Sequence, residues 1–336
     1  MRKPVAIITA FLMCTFLFAC GAGGQSAAGT DTGSGSDTAA PEGSSAAESS
    51  ALPVSGRQGE SVRFVVLGDS IAHGYGLADI EGDRFSSVLA SKLRGNFESV
   101  AAVNYGIDGL TGIGLCEKLR AGEFTQGLQG ADYVLVSIGG NNILQGLSML
   151  EGVSELLSAD GLGTLFSDYS KLLLGAEAPA EDDPTIKRLE ELISGANAVF
   201  DGSDYKALID KACDDLNTEL REIYSLVKGI APGAKIAVQT VYSPYKGMNI
   251  TLPLVEPSLA LGSYSDAAVS ALNREILGAA ECGYDVVDVY TAFDESSETL
   301  TNAGLNLVSG MMLDPHPNIA GHRLIAELYY QYITEE

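Results

Sequence analysis

The segment Val65-Val66-Leu67-Gly68-Asp69-Ser70 joins an apolar run to the start of a helix. The run Arg63–Leu67 is β-branched and nearly continuous in apolar residues, which is typical of a parallel strand covered on both faces. In open parallel sheets, ligands bind at the carboxyl ends of the strands. A serine in the first helical turn there lies at the positive end of the helix dipole. Ser70 is therefore a candidate nucleophile, although Asp-Ser before a helix is also an ordinary N-cap.

Outward from this segment, apolar runs alternate with helical patterns. Four more runs resemble buried strands, namely Val100–Asn104, Tyr133–Ile138, Lys235–Val241 and Asp285–Val289. Helices are predicted over Phe85–Leu93, Asp204–Val227, Ser265–Cys282 and Pro317–Ile333. Such alternation predicts an α/β fold with a mostly parallel five-stranded sheet.

The connection after the third strand is unusually long. About sixty residues, 143–203, carry helical patterns without a strand. Asp183-Pro184 is a typical helix start. Because this insert directly follows a candidate site loop, we expect either a cap over the site or a helical extension packed on the sheet.

The N-terminus predicts export from the cytoplasm. Arg2 and Lys3 precede Val5–Ala19, an apolar stretch shorter than a membrane-spanning helix needs and typical of a signal peptide. It ends in Leu17-Phe18-Ala19-Cys20, which resembles a bacterial lipoprotein signal. We expect a signal peptide over 1–20, lipidation of Cys20 and an extracytoplasmic protein anchored to the bacterial membrane. An ordinary cleaved signal peptide is the alternative.

Composition separates a tether from a folded domain. Residues 21–60 are rich in Gly, Ser, Ala and Thr, and they bury too little apolar surface to fold, so we expect a disordered tether before a domain over 61–336. The net charge of −24 argues against nucleic-acid binding. Cys116, Cys213 and Cys282 show no metal or disulfide spacing and are expected to be small buried residues.

A serine nucleophile needs a base, and His316 is the best placed of the three histidines. It lies in Leu313-Asp314-Pro315-His316-Pro317, just before the last predicted helix. Asp314 is near enough to orient the imidazole. His73 is too close to Ser70 in sequence to face it across a cleft, and His322 is expected on the last helix.

Two further strand ends offer hydrogen-bond donors for an oxyanion. The segment 104–111 follows the second strand and contains Gly106 and Gly109, whose backbone N–H groups are candidates. Gly139-Gly140-Asn141 ends the third strand and offers a side-chain amide. Each is alone an ordinary turn, but together they surround the same sheet edge as Ser70.

In combination these four blocks resemble the SGNH hydrolases, also called GDSL esterases and lipases. The resemblance covers about Ser61 to the C-terminus. It implies a three-layer α/β/α, flavodoxin-like fold without a metal or cofactor. It also implies an acyl-enzyme formed on Ser70, with His316 as base and Asp314 as acid. The oxyanion hole would consist of Ser70, Gly109 (rather than Gly106) and Asn141.

The sequence departs from the family pattern at two places. Asn142 stands where the family usually has Asp. The acid and base are spaced Asp-x-His instead of Asp-x-x-His, which would allow the Asp314 carboxylate to miss the imidazole. We expect that either Pro315 restores the geometry or a backbone carbonyl orients His316.

The expected reaction is hydrolysis of a carboxylic ester, and the sequence does not rank small-molecule esters against acylated glycans. A catalytically idle binding module on the same fold, and an acyltransferase to a glycan acceptor, are the alternatives.

Overall fold

The computed structural model describes residues 60–150, 162–175, 180, 182–306 and 310–335. These residues all belong to one compact unit, Gly56–Glu336. The predicted signal peptide with Cys20, and all but the last residue of the predicted tether 21–60, lie outside the described residues. Among the described helices, none combines the length and the apolar character needed to cross a bilayer.

The predicted parallel sheet is confirmed. Its strands are β1 Ser61–Gly68, β2 Ser99–Gly106, β3 Tyr133–Ser137, β4 Lys235–Gln239 and β5 Asp285–Val287. The spatial order is β2-β1-β3-β4-β5, and all neighbouring pairs are parallel. This is the flavodoxin-like order, in which the direction of winding reverses between β1 and β3. The residues that follow these two strands therefore meet at a ligand-binding crevice.

Helices cover both faces of the sheet. They are α1 Ser70–His73, α2 Ile80–Asp83, α3 Phe85–Leu93, α4 Gly112–Arg120, α5 Thr125–Leu128, α6 Gly140–Leu147, α7 Leu162–Leu173, α8 Pro184–Phe200, α9 Ser203–Ile230, α10 Leu261–Ala279, α11 Val289–Glu295 and α12 Ile319–Thr334. Alternation along β1 supplies two apolar cores. Val65 and Leu67 contribute to the core with α4, α9 and α10, whereas Phe64 and Val66 contribute to the core with α3, α11 and α12.

The insert after β3 contains α7 and α8. As predicted, Asp183 caps α8, and its side chain accepts the Thr185 N–H at 2.8 Å. Phe166 and Tyr169 of α7 are fully buried, and the Tyr169 hydroxyl donates to the Pro253 carbonyl at 2.6 Å. The described part of the insert thus shares the core that contains α9 and α10.

Several element boundaries differ from the sequence predictions. β4 ends at Gln239 instead of 241, because the Asn273 side chain pairs with both the N–H and the carbonyl of Val241 at 2.8 Å. The last helix begins at Ile319 instead of Pro317, because the Asn318 side chain caps it. The short strands β6 Gly304–Asn306 and β7 Gly310–Met312 were not predicted, since three residues are too few to show a pattern.

The cysteines follow their prediction with one exception. Cys116 and Cys213 are buried free thiols, whereas Cys282 is partly exposed in the short 3₁₀ turn Ala280–Cys282.

Candidate active site

Ser70 is the first residue of α1, directly beyond the carboxyl end of β1. The Asp69 side chain caps this single turn by accepting the Ile71 N–H at 3.0 Å. The turn ends at Gly74, which has a φ of 94° and is left-handed, as glycine permits. The local sequence thus builds a short helix whose first side chain is Ser70.

His316 contacts both of its predicted partners. Its Nε2 lies 2.9 Å from the Ser70 hydroxyl, and its Nδ1 lies 2.6 Å from the Asp314 carboxylate. The Tyr75 ring lies against the imidazole, with 4.5 Å between the ring centroids. The three side chains form one hydrogen-bonded chain from hydroxyl to carboxylate, which is the arrangement needed for nucleophilic attack assisted by a base.

The short Asp-x-His spacing does not separate the carboxylate from the imidazole. Asp314 Oδ1 also accepts the backbone N–H of His316 at 3.0 Å, which closes an Asx turn over two residues. The same oxygen therefore orients both the backbone and the ring, and the carboxylate, not a backbone carbonyl, contacts Nδ1. Burial by itself raises the pKa of Asp314, but the hydrogen bonds from His316 outweigh it, and the pKa is lowered.

Asn302 is a contact that the sequence analysis missed. Its side-chain amide donates to Asp314 Oδ2 at 3.1 Å, and its backbone N–H donates to the His316 carbonyl at 2.9 Å. Gly76 lies against this pair with a φ of 87°, and a Cβ there would lie 3.1 Å from the Asn302 amide nitrogen. No local pattern predicts Asn302, because it lies twelve residues from Asp314 and reaches it only in the fold.

Two tyrosines that follow β4 hold the 313–317 loop, which carries the acid and the base. The Tyr242 hydroxyl donates to the Pro315 carbonyl and the Tyr245 hydroxyl to the Leu313 carbonyl, both at 2.8 Å. Burial raises the pKa of both phenols, so they remain protonated donors. Because ligand sites form at strand ends, the position of Tyr242 and Tyr245 just after the fourth strand is the signal that could have identified them.

The 109–112 turn is held by side chains of α6. Asn141 Nδ2 donates to the Leu110 carbonyl at 3.0 Å, and Gln145 Nε2 donates to the Gly109 carbonyl at 3.2 Å. Gly109 has a φ of 73°, which favours glycine. An amide nitrogen carries two N–H groups, so Asn141 can hold the turn with one and offer the other to a ligand.

A cavity of about 140 Å³ opens beside Ser70. Ser70, Asn141 and His316 all line it, and most of its wall is apolar or aromatic. The apolar and aromatic residues of the wall are Ile71, Ile143, Leu144, Leu147, Phe200, Tyr205, Val241, Tyr242, Pro244, Tyr245, Leu261, Tyr264, Ala268, Val269, Leu272, Leu313 and Pro315. Gly109 is not among the described residues that line it.

The two histidines that were set aside as bases have hydrogen-bond partners other than Ser70. His73 Nδ1 pairs with Asp108 at 2.8 Å. His322 is fully buried on α12 against Phe85, and burial lowers its pKa to about 4. Burial raises the pKa of Asp69, next to Ser70, to about 7. Within the described residues, no group of three or more His, Cys, Asp or Glu side chains is placed to hold a metal ion.

This fold and this site define a known class of ester hydrolases. The model of the GDSL-like lipase/acylhydrolase family matches residues 66–324, and the chain belongs to this family. The resemblance inferred from the four sequence blocks is confirmed, and the protein is an ester hydrolase of the SGNH type.

Three proteins to which the chain is similar share 27% identity or less with it. The chain is 27% identical over 280 residues to the uncharacterized protein YpmR of Bacillus subtilis (strain 168), covering 82% of this chain and 83% of the relative. Its fold is similar to that of the lipase Lip_vut3 from a goat rumen metagenome, with a TM-score of 0.52, 13% identity, and coverage of 80% and 95% of the two chains. An extracellular lipase from Streptomyces rimosus matches with a TM-score of 0.47 and 18% identity, covering 81% of this chain and 99% of that one.

Proposed function

We propose that the protein hydrolyses carboxylic esters through an acyl-enzyme on Ser70 and that the acyl group is short and apolar. The observation that carries this proposal is the Ser70–His316–Asp314 chain of hydrogen bonds, at 2.9 and 2.6 Å, beside an apolar cavity that Ser70 and His316 line. A catalytically idle module would have no need for such an arrangement.

In the proposed reaction His316 removes the Ser70 proton as the hydroxyl attacks the ester carbonyl. Asp314 fixes the tautomer and stabilises the imidazolium that forms. The oxyanion is stabilised by the second N–H of the Asn141 amide and by the backbone N–H groups of Ser70 and Gly109. His316 then protonates the leaving alcohol, and water releases the acyl group by the same steps.

The cavity supports an apolar acyl group of limited length. Its wall is mostly apolar and aromatic, so a charged or strongly hydrated acyl group would lose its water without compensation. Its volume of about 140 Å³ resembles that of an apolar protein cavity of about 150 Å³ that binds benzene. We therefore expect an acyl chain of about six carbons to fit without rearrangement.

The decisive test of the nucleophile is Ser70→Ala with Ser265→Ala, another serine of the same cavity, as control. On nitrophenyl butyrate, Ser70→Ala should lose about 10⁴-fold or more in kcat, while the control stays within about threefold. A fluorophosphonate probe should label the wild type and the control but not Ser70→Ala. Wild-type turnover by Ser70→Ala contradicts the proposal.

The acyl preference is tested through Phe200, which reaches the cavity from the end of α8. The centroid of its ring lies 5.2 Å from that of Tyr205 and 4.9 Å from that of Tyr264. Across nitrophenyl esters of increasing chain length, Phe200→Ala should move the optimum to longer chains. Leu254→Ala, an exposed residue outside the cavity wall, should not. A folded Phe200→Ala with an unchanged profile, or a wild type that prefers acetylated glycans, overturns the assignment of the acyl group.

We further propose that Cys20 is lipidated and that the enzyme is extracytoplasmic, held at the membrane through this residue. The sequence Leu17-Phe18-Ala19-Cys20 after an apolar stretch supports this. Metabolic labelling with an alkyne fatty acid should mark the wild type but not Cys20→Ala. Equal labelling of both chains contradicts lipidation at this residue.

A further inference from the structure

Glu219 is a buried carboxylate that the proposed reaction does not use. It lies on α9 and is only 8% exposed. A buried carboxylate is unfavourable unless hydrogen bonds compensate for the lost water. Burial raises the pKa of Glu219, and hydrogen bonds from the Asn142 side chain and from the Ile113 backbone oppose the rise. Both donors adjoin the 109–112 turn, because Asn142 contacts Gly112 and Ile113 directly follows it.

Asn142 joins this carboxylate to the turn. Its Nδ2 donates to Glu219 Oε2 at 2.7 Å, and its Oδ1 accepts the Gly112 N–H at 3.1 Å. A carboxylate only accepts hydrogen bonds, and an N–H only donates. Glu219 therefore decides which end of the Asn142 amide faces the turn, and only the observed orientation satisfies both neighbours.

Gly112 shows how closely the carboxylate approaches the turn. A Cβ at this position would lie 2.1 Å from Glu219 Oε2, so only glycine leaves room for it. Asn141 donates to the Leu110 carbonyl and Gln145 to the Gly109 carbonyl, so that with Asn142 on the Gly112 N–H, α6 holds the turn at three residues. Of these three side chains, Asn142 is the one that Glu219 orients.

We propose that Glu219 is a positioning residue for the 109–112 turn, acting through Asn142, and that it fixes where the turn lies relative to Asn141 and Ser70. This inference rests on the proposed function, in which the turn and Asn141 stabilise the oxyanion. Donors of this kind must lie about 2.7–3.1 Å from the oxygen on which the charge develops, so a displaced turn lowers kcat more than it changes KM.

The test exchanges the carboxylate of Glu219 and the amide of Asn142. Glu219→Gln removes the charge and one acceptor, and kcat on nitrophenyl butyrate should fall about tenfold or more with KM changed less than about threefold. Asn142→Asp places two carboxylates in contact and should lower kcat further. In the double variant the new glutamine amide donates to the new aspartate, which still accepts the Gly112 N–H. Its kcat should recover to within about threefold of the wild type.

Glu222→Gln is the matched control, because Glu222 also lies on α9 but pairs with Arg120 at the surface, and its kcat should stay at the wild-type value. Melting temperatures separate positioning from packing. If the double variant regains the wild-type melting temperature but not its kcat, or if Glu219→Gln keeps full kcat, the inference is wrong. An inactive wild type that no fluorophosphonate labels would instead contradict the proposed function.

Discussion

The 313–317 loop and the 109–112 turn both lie near Ser70, at the carboxyl edge of the sheet, but different kinds of side chain hold them. The loop contains its own carboxylate, Asp314, in direct contact with His316. The turn is held by neutral amides of α6, and the Glu219 carboxylate acts on it through one of these amides, that of Asn142. The difference matches the charge that each must stabilise. A carboxylate favours the imidazolium that forms on the loop, whereas it would oppose an oxyanion beside the turn.

Loss of the loop's carboxylate should have the largest effect. Asp314→Asn should lower kcat by about 10⁴-fold, because an amide can hold the imidazole in the wrong tautomer while leaving the backbone turn in place. Steady-state kinetics on nitrophenyl butyrate measure this, and a fall of less than about tenfold would assign the orientation of His316 to another group.

Loss of a neutral side chain that holds the turn should lower kcat less than loss of the Asp314 carboxylate. Asn141→Ala should lower kcat by about 10²-fold to 10³-fold, as is usual when one oxyanion donor is removed. It should also lower the melting temperature, because the Leu110 carbonyl loses its partner. Gln145→Ala, which removes only a contact to the Gly109 carbonyl, is the control and should lose less than about tenfold. Equal losses in both variants would mean that Asn141 acts only through the turn.

Removal of a tyrosine hydroxyl that holds the loop should lower kcat still less. Tyr242→Phe leaves the Pro315 carbonyl without its donor, and we expect a loss of about 1–3 kcal/mol in the free energy of unfolding and about threefold to tenfold in kcat. Tyr330→Phe removes a hydroxyl bonded to Asn96, far along α12, and should leave kcat unchanged. Urea unfolding and kinetics on both variants check this, and a Tyr242→Phe enzyme with wild-type kcat contradicts it.

The smallest effect on activity is expected at His322, on the helix that follows the loop. Its folded pKa is about 4 against an ordinary 6.5, so the unfolded chain binds the proton first and stability falls as pH drops from 6.5 towards 4. This contribution is roughly 3 kcal/mol. Asp69 acts with the opposite sign, because its raised pKa of about 7 adds stability that is lost as pH rises towards 7.

The comparison must therefore be made between variants at each pH. His322→Asn should show a smaller loss of stability than the wild type between pH 6.5 and 4, while kcat at neutral pH changes less than about twofold. Urea unfolding at several pH values measures the two slopes, and parallel slopes would show that His322 does not titrate as its burial implies.

The elements of the fold followed from local patterns, and the site followed only in part. Buried parallel strands appear in the sequence as continuous apolar runs, and amphipathic helices appear as a 3.6-residue period. The five strands and the long helices were therefore predicted within a few residues. The boundaries that moved did so where a distant side chain intervened, as Asn273 does at Val241. The catalytic roles of Ser70, His316, Asp314, Gly109 and Asn141 stay predictions.

The sequence by itself determined the layered α/β fold, the family, the strand ends that Ser70 and Asn141 follow, and the loop before the last helix that carries His316. These depend on periodicity and on short blocks, which are local properties of the chain. Only the tertiary structure decided that Asp314 contacts His316 across a two-residue spacing, that Phe200 of the insert lines the cavity, and that Glu219 accepts a hydrogen bond from Asn142. These contacts join residues whose distance is set by packing, so no spacing in the sequence encodes them.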